Sequence, residues 1–338
     1  MTMDPVSARS TSAQAAPSQP STRALLEVRG LTVQIGRDAH RSPRPLQGID
    51  LQIPPTSRVA LVGESGSGKS LTAAAILGML PPQARVLGGS VTLGDVELLG
   101  ASEARLREVR GSRIAIMFQN PKASLNPVLT VGGQIAEVIR VHEQVSRKES
   151  RTRAIDLLDQ MGIPDPVRRA ADYVHQYSGG MAQRAALALA LSCRPDVLIA
   201  DEPTSGLDAT LQQQVLELVV EQVEQRESSL LLITHDIGIV EATCHRIAVL
   251  YAGRVMESGL VVDVLGTPAN PYTKELLRAY RTVEHGRMDT IPGTVPALLG
   301  QLDGCPFVDR CPEAIDDCAD GVPELTPRDG RRVACIRA

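Results

Sequence analysis

Aromatic side chains are nearly missing from this 338-residue chain, which has two Phe, five Tyr and no Trp. That scarcity excludes the stacking platforms on which single-strand nucleic-acid binders hold bases. The core must rest on Ala, Leu, Val and Ile, and a hydrophobic fraction of 43% is enough to build one. A basic excess is lacking too. With 35 Lys and Arg against 39 Asp and Glu, the net charge is −4, so no nucleic-acid partner is expected. No apolar run approaches the eighteen or so residues that cross a bilayer; the longest, 185–191, is short and follows Arg184. Residues 1–22 are rich in Ser, Ala, Pro and Gln without an apolar segment, which excludes a secretory signal. They predict a disordered tail over 1–24.

What is present is organised around Gly63-Glu64-Ser65-Gly66-Ser67-Gly68-Lys69-Ser70, two glycines five apart followed by lysine and a hydroxyl residue. An apolar, β-branched run (58–62) precedes it and a helical stretch (70–77) follows, the context that a phosphate-binding loop requires. The glycines let the backbone curl so that successive N–H groups face one anion, reinforced by the positive end of the next helix. Lys69 would reach the β- and γ-phosphates and the Ser70 hydroxyl would hold Mg²⁺. A nucleoside triphosphate is therefore the expected ligand.

One such loop in a chain of this length suits one large α/β domain with an appendage. Residues 25–35 and 46–53 read as strands of an antiparallel layer, and 88–98 as a hairpin turning at Gly94-Asp95. A buried strand over 114–118 ends at Gln119. From 121 to about 177 the strand signals vanish and helices over 130–142 and 147–161 alternate with Pro and Gly breaks, predicting an inserted helical subdomain over about 120–180. The core then resumes with a helix (181–192), a strand (196–200), a helix (209–225) and a strand (229–234). That alternation favours a mostly parallel sheet with crossover helices.

Asp201-Glu202 follows an apolar strand. A carboxylate at Asp201 can bind Mg²⁺ opposite Ser70, and Glu202 can polarise the attacking water, worth about 10²–10⁴ in rate for a positioned base. Alone this would be a solvated acidic pair; with the phosphate loop it joins a site. Gln119 can contact both metal and water without opposing charge, and His235 can donate to the γ-phosphate. Ser178-Gly179-Gly180 opens a second helix whose N-terminus is ready for an anion. It is either a plain serine cap or a contact for the nucleotide held by another protein.

Taken in order, the 63–70 loop, Gln119, Ser178-Gly179-Gly180-Met181-Ala182-Gln183-Arg184, Asp201-Glu202, Ser205-Gly206-Leu207-Asp208 and His235 resemble the ATPase of ABC transporters. They correspond to its Walker A, Q-loop, signature, Walker B, D-loop and switch histidine. The resemblance covers about 25–280 and implies an ABC-type fold: a mostly parallel α/β core with an antiparallel layer and the inserted helical subdomain. It also implies a head-to-tail pair of ATPase subunits, homologous or identical, with each ATP clamped between one loop and the other subunit's Ser178-Gly179-Gly180 and Asp208. Two transmembrane permease subunits would receive the motion, their coupling helices docking near Gln119 and the helical subdomain.

A finer resemblance is to the ATPases of dipeptide/oligopeptide and nickel importers. It rests on Phe118-Gln119-Asn120-Pro121-Lys122-Ala123-Ser124-Leu125-Asn126-Pro127, Tyr177-Ser178-Gly179-Gly180-Met181, Asn270-Pro271-Tyr272-Thr273 and a tail with Ile291-Pro292-Gly293-Thr294-Val295-Pro296 and Cys305-Pro306-Phe307-Val308-Asp309-Arg310-Cys311. It implies ATP-driven import of di- or oligopeptides, or alternatively of nickel or a metal chelate. An extracytoplasmic binding protein would deliver the substrate, and the chain would sit peripherally on the cytoplasmic face of the membrane. Two positions depart from the family. Ile35 stands where an aromatic residue stacks on adenine, a contact worth about 1–3 kcal/mol, and Ala182 stands where a basic residue is usual. Neither removes a group needed for hydrolysis.

Of six cysteines, Cys193 and Cys244 are isolated and read as buried or half-buried thiols. Cys305, Cys311, Cys318 and Cys335 gather in a C-terminal extension over 281–338. A cytosolic chain seldom uses disulfides, so four thiols on a short tail suggest a metal centre. Their spacing lacks the tight pairs of common zinc sites; four thiolates also suit a [4Fe–4S] cluster, which the resemblance to peptide importers implies. Either metal would staple a tail too small to fold alone. The competing class is a soluble ABC ATPase acting on DNA or ribosomes. Its DNA-repair forms carry a long coiled coil between phosphate loop and signature, for which the stretch from Ser70 to Ser178 leaves no room, and its ribosomal forms carry two ATPase units. A metal-sensing module in which ATP only holds shape would not need Glu202 and His235.

Overall fold

The computed structural model describes residues 24–38, 41–284 and 290–338; the tail expected over 1–24 lies, but for its last residue, outside them. The chain opens with β1 (Leu26–Ile35), β2 (Leu46–Ile53), β3 (Arg58–Val62) and α1 (Lys69–Ile76). β4 (Ala84–Leu93), β5 (Val96–Glu97), α2 (Glu103–Val109) and β6 (Ile114–Met117) follow. Then come the helices α3 (Pro121–Ser124), α4 (Val131–Glu143), α5 (Arg147–Gln160), α6 (Pro166–Arg169) and α7 (Gly179–Ala190). The core resumes with β7 (Val197–Asp201), α8 (Ala209–Gln225), β8 (Ser229–Ile233), α9 (Ile237–Thr243), β9 (Arg246–Tyr251) and β10 (Arg254–Leu260). α10 (Val261–Gly266), α11 (Pro271–Glu284), β11 (Thr326–Arg328) and β12 (Arg331–Val333) complete it.

Two sheets form. One is antiparallel with order β2-β1-β4-β5; the other has order β11-β12-β10-β9-β3-β8-β7-β6. Its strands from β9 to β6 run parallel, with Ala60 beside Leu232 and Ile247, and Ile199 beside Leu231. The uninterrupted apolar runs of β3, β7 and β8 are explained by burial on both faces. Side chains alternate along a strand, so Val59, Leu61, Ile199 and Leu231 pack with α1 and the antiparallel sheet. Ala60, Val62, Leu198, Ala200 and Leu232 pack with helices α4, α5, α7 and α8 on the other side.

The expected Cys-rich extension is not set apart from this body. β12 pairs antiparallel with β10, placing Val333 beside Glu257, and β11 pairs with β12, so the tail adds two strands to the main sheet. The physical reason is a supply of apolar and polar partners. Val333 is fully buried, the Asn270 amide donates to the carbonyls of Met256 and Ala334, and Phe307 packs edge-on against Tyr251 and Tyr272 with ring centroids 5.3 Å apart. Three of the chain's seven Phe and Tyr residues thus meet at the seam between tail and body.

Candidate nucleotide site

The phosphate loop leaves β3 at Gly63, where φ is +154° and an added β-carbon would lie 2.0 Å from the Leu250 carbonyl oxygen. Only glycine can pass that close to β9. Gly68, at φ +109°, caps α1 and leaves a β-carbon 2.8 Å from Leu46 Cδ2 and 2.9 Å from the Pro45 oxygen. Lys69 is buried in the first turn of α1, its ammonium donating to the carbonyl oxygens of Gly63 (2.8 Å) and Glu64 (3.0 Å). Burial lowers its pKa, while Glu202, Asp201 and Glu64 pull it back up. The Ser67 hydroxyl is buried in the loop without a protein partner, an orphaned polar atom of the kind that a phosphate oxygen satisfies.

Opposite the loop, β7 ends at Asp201, whose Oδ1 accepts from Ser70 Oγ at 3.1 Å across 131 residues of sequence. Burial raises the Asp201 pKa against the opposing effect of that hydrogen bond. A hydroxyl and a buried carboxylate in direct contact fit Mg²⁺, which takes one or two oxygen ligands from protein beside substrate phosphates. Lys69 and the unpartnered Ser67 hydroxyl fit the triphosphate.

Glu202 follows in a left-handed backbone, φ +46°, with its N–H donating to the Ile233 oxygen. Its carboxylate is held from two sides. Gln119 Nε2 donates to Oε2 at 2.8 Å and His235 Nδ1 lies 3.1 Å from Oε1. Where the Glu202 carboxylate accepts, Nδ1 is the donating ring nitrogen of that contact. Gln119 follows β6, Glu202 follows β7 and His235 lies two residues beyond β8, three adjacent parallel strands. The crevice at the carboxyl ends of such strands is where open α/β sheets bind ligands. Six expected residues therefore converge: Lys69, Ser70, Asp201, Glu202, Gln119 and His235.

Others stand apart. Ser178 caps α7 by accepting from the Met181 N–H, and Asp208 caps α8 by accepting from Leu211. A β-carbon on Gly180 would lie 2.8 Å from Leu211 Cδ2, so these two helix starts pack together. Ser178 and Asp208 thus direct their side-chain oxygens to their own helix starts. Ile35 closes β1 beside Ala84 in the antiparallel sheet. Arg310 and Tyr272, which sequence analysis quoted only as parts of family motifs and gave no role at the loop, both contact Glu64.

The metal centre expected at Cys305, Cys311, Cys318 and Cys335 is not preformed. Among the described residues, no group of three or more His, Cys, Asp or Glu side chains is arranged to hold a metal ion. The four cysteines are all free thiols and line one cavity together with Phe307 and Ala334. Burial pushes Cys305 up to about 11 and raises Cys311, with the neighbouring sulfurs adding to the effect. Cys193 is half-buried and Cys244 buried, with burial raising both thiols, Cys244 to about 11.

The fold and crevice define a phosphate-loop NTPase. Residues 46–205 match the ABC transporter family, and 256–318 match the oligopeptide/dipeptide transporter C-terminal region. The chain is 44% identical over 326 residues to the probable peptide ABC transporter ATP-binding protein y4tR of Sinorhizobium fredii, covering 95% of this chain and 97% of that one. It is 42% identical to the dipeptide transport ATP-binding protein DppD of Escherichia coli, covering 92% and 96%. Among solved structures, the dimeric post-hydrolysis state of the ATP-binding cassette MJ0796 bound to ADP and Pi superposes with a TM-score of 0.62 at 25% identity, covering 70% of this chain and 98% of that one. The chain belongs to the ATP-binding proteins of ABC transporters, in the branch that carries the oligopeptide/dipeptide C-terminal region, and it is an ATPase.

Proposed function

We propose that this chain is the ATP-hydrolysing subunit that powers import of di- and oligopeptides across the cytoplasmic membrane. The observation that carries it is the Glu202 carboxylate, held between Gln119 and His235 and facing the Lys69–Ser70–Asp201 group. Lys69 exchanges two backbone carbonyls for the β- and γ-phosphates. Ser70 and Asp201 hold Mg²⁺, which when bound offsets the charge of the phosphates. Glu202 orients a water and accepts its proton as the water oxygen bonds to the γ-phosphorus and the bond to the β,γ-bridging oxygen breaks. Gln119 and His235 keep the carboxylate aimed.

The helix opened by Ser178, Gly179 and Gly180 serves a triphosphate held by a second ATPase subunit, homologous or identical. Two permease subunits complete the assembly, and Phe118, Val128 and Leu129, large apolar side chains exposed beside Gln119 and before α4, suit a docking permease segment. Among the described residues no helix is long and apolar enough to cross a membrane, so attachment at the cytoplasmic face runs through those partners. The relatives, peptide and dipeptide transport ATP-binding proteins, favour peptides over nickel or a chelate. The test is reconstitution in vesicles with two permease subunits and a peptide-binding protein. Uptake of labelled dipeptide with peptide-stimulated ATP turnover is expected; uptake of nickel alone would contradict the substrate.

For the thiol cavity, a [4Fe–4S] cluster is favoured over zinc. Zinc draws four thiolates to about 2.3 Å from a single point, a convergence these side chains lack, whereas a four-iron cluster is ligated around its outside. The raised thiols hold their protons near neutral pH, so loading releases protons. Iron and sulfide in about 4:4 ratio after anaerobic purification is the expected result; one zinc and no iron would contradict it.

A further inference from the structure

The tail reaches into the nucleotide site at one point. Arg310, between Phe307 and Cys311, is only 6% exposed and spends all five of its N–H groups. Two form a fork on the Glu64 carboxylate, at 2.9 and 3.1 Å, and the others go to the Tyr251 hydroxyl and the carbonyls of Ile291 and Pro292. Glu64 is the second residue of the phosphate loop and is gripped three ways. Its N–H donates to the Tyr272 hydroxyl, its carbonyl accepts from Lys69, and its carboxylate is turned onto Arg310.

A carboxylate in that position is a hazard to the loop's function. Released, it is close enough in sequence and space to pair with the Lys69 ammonium and to repel a triphosphate. Glu64 already acts electrostatically on Lys69. We infer that Arg310 is a positioning residue for ATP binding, which neutralises Glu64 and holds it off Lys69, so that the C-terminal segment sets the charge of the phosphate loop. The inference rests on the reading of this loop as the ATP site. It gives the tail a part in nucleotide binding that is independent of what fills the cysteine cavity.

MgATP affinity of the full-length chain, measured by equilibrium titration, tests it. Arg310→Gln is expected to bind about ten-fold more weakly at low salt, with the gap narrowing at about 0.5 M salt as screening grows. Adding Glu64→Gln to Arg310→Gln removes the freed charge and brings affinity back to within about three-fold of wild type, although the fork is still missing. A merely structural brace would give no such recovery. Arg310→Gln binding within two-fold of wild type would overturn the inference, as would a double variant no tighter than the single one. Should Arg310→Gln fail to fold, Arg310→Lys carries the test. It keeps the charge and gives up the fork, so affinity within three-fold of wild type is expected and a ten-fold loss would overturn it. A wild-type chain that binds no MgATP would instead refute the nucleotide site itself.

Discussion

Two places gather polar groups around the phosphate loop, and they are held in opposite ways. On the crevice side, Gln119, Glu202 and His235 meet at the ends of three strands, and the His235 side chain is 70% exposed. Among the described residues its side chain is held by the contact with Glu202 and is otherwise largely open. On the tail side, Arg310 sits among Tyr251, Tyr272 and Phe307, each of these rings fully or nearly fully buried. The loop therefore has one wall that can rearrange around nucleotide and one that cannot. The proposed chemistry falls on the adjustable wall and the proposed alignment on the fixed one.

The comparison breaks first if the fixed wall yields. Gly63→Ala puts a methyl 2.0 Å from the Leu250 oxygen in a backbone region that alanine avoids, and MgATP affinity is expected to fall at least about 10²-fold by equilibrium binding. Phe307→Ala empties the seam and should cost about 3–5 kcal/mol of stability, seen as a lower denaturant midpoint. His235→Ala, on the adjustable wall, should leave that midpoint unchanged while stopping turnover. If the two variants destabilised the chain equally, the contrast between the walls would fail.

Asp201 sharpens it. Its raised pKa means that the folded chain holds this proton more tightly than the unfolded chain does. Its ionised form thus costs stability near neutral pH, and that cost vanishes as pH falls below the unfolded carboxylate value, about 3.9. Asp201→Asn is expected to melt higher than wild type at pH 7 without Mg²⁺ and nucleotide. The two curves should converge toward pH 4 and below. The smallest effect belongs to Ser178→Ala, which removes a helix cap worth about 1 kcal/mol and is expected to lower the melting midpoint only slightly.

The adjustable wall was legible in the sequence because each of its residues follows an apolar strand, so a run of Val, Leu and Ile marks where the polar group will emerge. The phosphate loop was legible because its glycines are imposed by close backbone approach. The loss of strand signals from 121 to about 177 marked a helical stretch, and α3 to α6 fall within it. The fixed wall was not legible. Arg310 meets Glu64 across 246 residues through backbone without periodicity, and no local pattern encodes such a contact. The two added strands were hidden for the same reason. β11 and β12 are three residues each, with charged side chains along them, and only pairing with β10 makes them strands. Four cysteines on that tail drew attention to a metal, whereas the tail is anchored by rings and strand pairing.

The most direct test of the whole account is the rate of ATP hydrolysis by the assembled transporter carrying Glu202→Gln, with MgATP binding measured alongside. The account predicts a fall of about 10²–10⁴-fold in turnover with binding intact. Turnover equal to wild type would contradict it.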